Sequence, residues 1–309
     1  MSRIVLRGVN GANPLGFLAS LGVLRLLHAG SDAVRMGFLT DGSFVPFVDG
    51  SERDIATLVA EDAAGAGGPQ PWSLEYEKEE KNGKKVVADL KAPPAAFRAF
   101  LDRSLASWAS GEDDGAAYAA AFGTSVAVDG KGNTKPTAFH FTAANQQFLG
   151  TLETIRASVN REWVQRSLFD GYAAQPGPNL RWDPAAERNW ALMANNPNDE
   201  GTGVDAPLEW LAFRGLPLLP SFPQAPRGGF AGRTKIVTTA VSGRGDDMKM
   251  TWPLWSVPIS IPTARSLLQL DWTGTPRDRA ERGVFAVCTS AIRRTPQGFG
   301  NFGPAIVES

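Results

Sequence analysis

Residues 3–30, RIVLRGVNGANPLGFLASLGVLRLLHAG, read as a strand, a tight loop and a buried helix around which the remaining chain must pack. Ile4 and Leu6 alternate with Val5 and Arg7 as in a strand, and Gly8, Gly11 and the asparagines then break the pattern. Asn13 offers a side-chain acceptor as N-cap, and Pro14 stands at the first helical position, where a missing N–H costs nothing. From Leu15 to Leu27 apolar residues cover nearly the whole circumference, which only a helix enclosed by protein tolerates. At about 13 residues this run is too short to span a bilayer. The loop has two readings, a structural turn or an anion site at a helix N-terminus. It has neither the Lys-Ser/Thr ending of a P-loop nor the three-glycine spacing of a dinucleotide fold, so the turn is preferred.

Outward from this unit, 309 residues with 43% apolar content suffice for a substantial core. The single cysteine, Cys288, lies in the apolar run GVFAVCTS and reads as a buried thiol. No signal-peptide pattern opens the chain and no apolar run reaches membrane-spanning length, so a reducing cytoplasm and no membrane partner are expected. Net charge is −1, but the stretch 225–309 alone carries +5. A neutral chain does not bind nucleic acid by coating phosphates all over. Its basic last quarter leaves room for one local anionic contact or a solvated face.

AVRMGFLTDGSFVPFVDG shows two short apolar runs around Asp41-Gly42, a hairpin that completes a small sheet with the first strand. A helix follows with Ser51 as its expected N-cap and Ile55, Leu58 and Val59 on one face. A second hairpin turns at Asn82-Gly83, with Lys81, Lys84 and Lys85 behind Glu77, Glu79 and Glu80. It is either a solvated hairpin or a finger that touches nucleic acid. Phe97, Phe100, Leu101, Leu105 and Trp108 mark an amphipathic helix. Residues 110–136, rich in Gly, Asp, Ala and Lys, are the expected linker, with a short helix possible in AAYAAAF. One helix is expected to carry Phe148, Leu152, Ile155, Val159 and Trp163 on a single stripe. Beyond 171 the prolines permit only short helices and extended pieces. KIVTTAVSGRGDDMKMTWPLW reads as two strands around a Gly-Arg-Gly-Asp turn, PTARSLLQL as a short helix and GVFAVCTSAIRR as a last strand. The expected fold is α+β: a small N-terminal antiparallel sheet with a buried helix, over 1–125, then a mixed helical and strand part rich in Pro and Trp, over 126–309.

Catalytic signals are sparse. The two histidines, His28 and His140, have no Cys, His or carboxylate at metal-ligand spacing, and no nucleophile elbow is present. No cofactor, metal site or catalytic residue is therefore expected. One alternative keeps a hydrolase or RNA-processing nuclease with His140 as base. What remains is basic and aromatic surface. Arg227, Arg233, Lys235, Arg244, Arg293 and Arg294 suit phosphate contact, with Lys84 and Lys85 on the hairpin finger. Asn145, Gln146, Gln147 and Asn301 are the amides that could read base edges.

Several segments together resemble known proteins. GVNGANPLGFLASLGVLRLL is similar to the strand, proline-containing turn and helix that open the divergent large subunits of type I-G (earlier I-U) CRISPR effector complexes. NLRWDPAAERNWAL, EWLAFRGLPLLPSFP, TWPLWSVPISIPTARSLL and the NFGPA ending resemble motifs of the same group. The resemblance implies a subunit of an RNA-guided Cascade-type surveillance complex in antiviral defence. Its partners would be the other effector subunits, the guide RNA, double-stranded target DNA and a helicase-nuclease. In such complexes guide pairing reads sequence, while protein recognises a short flanking duplex motif and stabilises the displaced strand. A purely structural subunit that touches only protein is the third reading.

Overall fold

The computed structural model describes residues 3–31, 33–65, 70–74, 76–79, 85–88, 90–111, 114–143, 146–171, 173–186, 203–225, 234–296 and 298–309. Strand β1 (Arg3–Val5) leads through the glycine loop into helix α1 (Pro14–His28). Asn13 caps the helix, its side-chain oxygen accepting from the N–H of Leu15 at 2.8 Å and of Gly16 at 3.3 Å. Two of the helix's unpaired N–H groups are thereby satisfied. The loop before it is filled with protein: a Cβ on Gly8 would stand 2.1 Å from the Ser167 carbonyl oxygen, and one on Gly11 2.5 Å from the Phe38 ring. It is a structural turn. Every residue from Pro14 to Leu24 is buried, as an all-round apolar helix requires.

Strands β2 (Arg35–Phe38) and β3 (Pro46–Asp49) complete an antiparallel sheet in the order β1-β3-β2. Helix α2 (Ile55–Ala64) is capped by Asp54, not Ser51. Asp54 directly precedes the first turn and accepts from Ala56 and Thr57, whereas the Ser51 hydroxyl is used one turn earlier by the Arg53 N–H. Strands β4 (Tyr76–Glu79) and β5 (Lys85–Ala88) form the second hairpin; its turn lies outside the described residues. Helix α3 (Pro94–Ala109) follows.

Within the expected linker the short helix anticipated in AAYAAAF is present, and the described residues from 114 to 136 are built structure and not an open connection. Helix α4 (Asp114–Phe122) runs into β6 (Gly123–Val128), which pairs with β7 (Thr134–Pro136). Tyr118 and Phe122 are fully buried, and Tyr118 stacks on Phe213 at 4.9 Å. Small residues mislead there because they also permit close helix packing. The long helix expected after residue 147 is broken. Helix α5 (Phe148–Ser158) stops and Asn160 restarts the chain as α6 (Arg161–Gln165), accepting from Trp163 N–H at 3.0 Å. A π-helical turn, Arg166–Asp170, ends it.

The chain continues through β8 (Gln175–Pro176) and its partner β9 (Gly203–Val204) into α7 (Ala206–Gly215), which is buried along its whole length. Then come β10 (Ser221–Gln224), β11 (Lys235–Thr238), β12 (Val241–Ser242), β13 (Lys249–Trp255), α8 (Ile261–Leu268), α9 (Pro276–Glu281), β14 (Val284–Arg294), β15 (Gly300–Phe302) and β16 (Ile306–Glu308). β10 and β11 pair as a hairpin, and β12-β13-β14-β15 form an antiparallel sheet with β16 also on β14. The Gly-Arg-Gly-Asp turn thus joins β12 to β13, while β11 pairs backwards with β10.

Helices α1 and α7 cross at backbone contact. A Cβ on Gly22 would stand 1.8 Å from the Leu211 carbonyl oxygen, and one on Gly215 2.4 Å from that of Leu18, so glycine is required at both. Phe17 of α1 stacks on Trp252 and meets Trp255 edge-on, at 5.6 and 6.3 Å. Each buried indole finds an acceptor: Trp252 donates to Gly11 O at 2.9 Å and Trp255 to Met36 O at 2.7 Å. One continuous apolar cluster therefore links the N-terminal sheet, α1, α7 and the C-terminal sheet. The fold is α+β, with small antiparallel sheets around a helical centre.

Candidate nucleic-acid interface

Five cationic side chains far apart in sequence meet around one open cleft of about 860 Å³. Lys91 comes from the segment before α3, Lys135 from β7, Lys235 from the start of β11, Arg244 from the turn after β12, and Arg294 from the end of β14. Among the described residues Asp247 is the single acidic residue of the lining. Thr137, Gln224 and Ser242 add neutral polar groups, and Pro136, Ile236, Val237, Val241 and Met248 an apolar wall. A cleft lined by one sign of charge focuses potential and raises the local concentration of anions.

The fold holds the cations in different ways. Lys135 reaches the carbonyl of Thr234 at 3.5 Å. Arg294 donates to the carbonyls of Ala138 at 3.0 Å and His140 at 3.2 Å, and its guanidinium lies 5.6 Å from the Phe141 ring centre. Burial pulls its pKa down from the usual arginine value, and the carbonyls it donates to are neutral. Lys235 and Arg244 are exposed at the rim. The Arg244 loop owes its shape to Gly243 and Gly245, at φ +82° and +55°.

Of the residues expected from sequence to contact nucleic acid, the structure brings Lys235, Arg244 and Arg294 together. Arg293 is exposed but leaves β14 on the face opposite Arg294, because successive strand residues alternate. Asn301 is corrected: it is 8% exposed and spends its amide N–H on Phe302 O at 3.1 Å, so it presents no edge to a base. Gln146 is exposed and Gln147 precedes α5, and neither lines the cleft. Arg227, Arg233, Lys84 and Asn145 lie outside the described residues. Lys85 belongs to β5 on the separate hairpin. Sequence reasoning missed Lys91, Lys135 and Gln224. Lys135 sits in DGKGNTKP, whose composition is that of a linker.

His140 also lines the cleft, but from beneath. It is 5% exposed, its Nε2 is 3.2 Å from the Thr142 hydroxyl, and its ring stacks on Phe148 at 5.7 Å. Burial, with Lys91 and Arg294 nearby, pushes its pKa down to about 3. A neutral imidazole held this way is a weak base. Among the described residues no cluster of three or more His, Cys, Asp or Glu side chains could hold a metal ion. Cys288 is fully buried and its thiol pKa is pushed up to about 12 by burial, the opposite of an activated nucleophile. A second hollow of about 310 Å³, near the end of α1, carries one acid and one base, Glu52 and Arg53, and has no charge focus. Among the described residues no helix is long and apolar enough to cross a membrane.

The chain matches no protein-family model and no curated protein.

Proposed function

We propose that this chain is a non-catalytic subunit of an RNA-guided CRISPR surveillance complex of the type I-G kind, and that its basic cleft takes the phosphate backbone of target DNA. The observation that carries the reading is the convergence of Lys91, Lys135, Lys235, Arg244 and Arg294, from five separate parts of the chain, around a cleft with one acid among its described residues. Phosphate contacts position a protein on nucleic acid without reading sequence, and a lysine-arginine rim is suited to that task. A chain of net charge −1 that concentrates cations in one place suits a subunit that touches DNA locally while others hold the guide.

Membership in such a complex is supported by the resemblance of the two segments that form the hub of the fold. GVNGANPLGFLASLGVLRLL supplies the capped loop and α1, and EWLAFRGLPLLPSFP supplies most of α7 and the start of β10. The implied role is recognition of the motif flanking the target, with support of the displaced strand and docking of the helicase-nuclease. The cytoplasm is the corresponding compartment.

Affinity isolation of the chain from its native host tests this directly. The expected result is co-purification of a defined set of protein subunits together with one size class of RNA. Isolation of the chain alone, free of RNA, would overturn the assignment to a guided complex.

A further inference from the structure

The hairpin β10–β11 carries a surface that the phosphate-binding role leaves unused. Its register pairs Ser221 with Thr238, Phe222 with Val237, Pro223 with Ile236 and Gln224 with Lys235. Side chains alternate between the two faces of a strand. Ser221 and Thr238 mark the inner face: their hydroxyls lie 2.9 Å apart, and Thr238 accepts from the Ala138 N–H at 3.0 Å. Ile236 is on that side too, its Cδ1 lying 3.4 Å from where a Cβ on Gly123 would stand. Phe222, Gln224, Val237 and Lys235 therefore share the outer face.

The cleft runs along β11 and takes in both of its faces: Gln224, Lys235 and Val237 of the outer face line it, as do Ile236 and Thr238 of the inner one, and Phe222, the cross-strand partner of Val237, lies beside the lining on the outer face. Phe222 is 48% exposed, whereas most phenylalanines of this chain are buried. Lys235 stands directly opposite Gln224 and diagonally from Phe222, a separation of about 7–8 Å between backbones. One face thus offers an aromatic ring, an amide and an ammonium group at nucleotide-sized spacing.

We propose that the outer face of β10–β11 binds one unpaired nucleotide, its base stacked on Phe222 and met at the edge by Gln224, with its phosphate on Lys235. The occupant is a nucleic-acid strand and not an apolar protein segment, because the exposed ring stands opposite Val237 and next on its strand face to Gln224, both of which line the cation-bearing cleft. An aromatic side chain accepts the π-face of any base, and an amide suits adenine best. The inference rests on the reading of the cleft as a phosphate site and adds to it a base contact.

The test measures binding of the full chain to a short oligodeoxyadenylate and to an abasic strand of the same length, which keeps the phosphates and lacks the bases. Wild type is expected to prefer the base-bearing strand. Phe222→Ala should weaken that strand about tenfold and leave the abasic strand unchanged. Phe222→Trp should retain the preference and Phe222→Leu, which keeps apolar bulk without a ring, should lose it. A smaller loss of the same kind is expected for Gln224→Ala. Equal loss on both strands, or no loss on either, overturns the base contact while leaving the phosphate reading intact. Wild-type protein that binds neither strand overturns both.

Discussion

Arg214→Ala is expected to lower the free energy of unfolding by about 3–5 kcal/mol, the usual cost of removing one partner from a buried ion pair. Arg214 leaves α7 and is 8% exposed. It lies 3.1 Å from Asp62 of α2 and 3.4 Å from Asp114 of α4, and donates to the Tyr118 hydroxyl at 2.9 Å. Arg25 of α1 pairs with the same Asp114, and Trp210 donates its indole N–H to Asp62 at 3.0 Å. One guanidinium thus joins three helices, α7, α2 and α4, and that of Arg25 adds α1 through the shared Asp114. Without Arg214, Asp62, whose pKa burial already raises despite that neighbour, is left buried with the smaller Coulombic influence of Arg25. Urea unfolding followed by circular dichroism measures the loss. Arg214→Met combined with Asp62→Leu should recover much of it, because a buried pair replaced by apolar groups is often neutral. A loss below about 1 kcal/mol in Arg214→Ala would place this pair in the class of solvent-screened surface bridges.

Glu209→Gln is expected to stabilise the protein in alkaline solution. Glu209 is 1% exposed on α7 and accepts from the Leu180 N–H at 3.3 Å. Burial first, and then the nearby Asp183, push its pKa up to about 8 from an ordinary value of 4.5; Asp205 adds to the rise. The folded state therefore holds a proton on this group that the unfolded state has released. Stability from it is fully present below about pH 4.5 and is lost as pH rises to 8, at about 1.4 kcal/mol per unit within that window. The full loss is on the order of 3–5 kcal/mol, and Gln, which has no proton to lose, removes it. His140 acts in the opposite sense: with its pKa pushed down to about 3 from 6.5, its contribution is present above pH 6.5 and lost towards 3. Differences between wild type and Glu209→Gln from pH 5 to pH 9 cancel His140, Asp62 and Asp205. A difference that stays constant across this range would contradict a buried, protonated Glu209.

Features that depend on local chemistry are legible in the sequence. The Asn13-Pro14 start of α1, its buried circumference, the hairpin at Asp41-Gly42 and the buried Cys288 follow from caps, periodicity and turn residues, and all are present. Legibility fails where small or polar residues serve tertiary packing. The short helix in AAYAAAF could be anticipated, but the strands β6 and β7 after it have the composition of a linker, and Asn160 divides a continuous apolar stripe into two helices. The cleft is half legible for a related reason. Lys235, Arg244 and Arg294 lie in the basic last quarter and can be found by charge counting. Lys91 and Lys135 come from an acidic stretch and join them through the folding of the β6–β7 pair against β10 and β11. Arg293 and Arg294 are neighbours in sequence, and strand alternation sends one away from the cleft. Asn301 looks available for base reading, and only burial shows that it is not.

The salt dependence of DNA binding by the full chain tests the central claim most directly. Lys135→Ala, Lys235→Ala and Arg244→Ala would be compared singly and together with wild type on one duplex, with Arg293→Ala as the residue outside the cleft. Removing one phosphate-bound cation should reduce the slope of log affinity against log salt by about 0.9. A DNA-binding cleft predicts a slope shallower by about two to three in the triple variant, with Arg293→Ala unchanged. A triple variant with the wild-type slope, or an Arg293→Ala effect as large as those of the cleft residues, would contradict it.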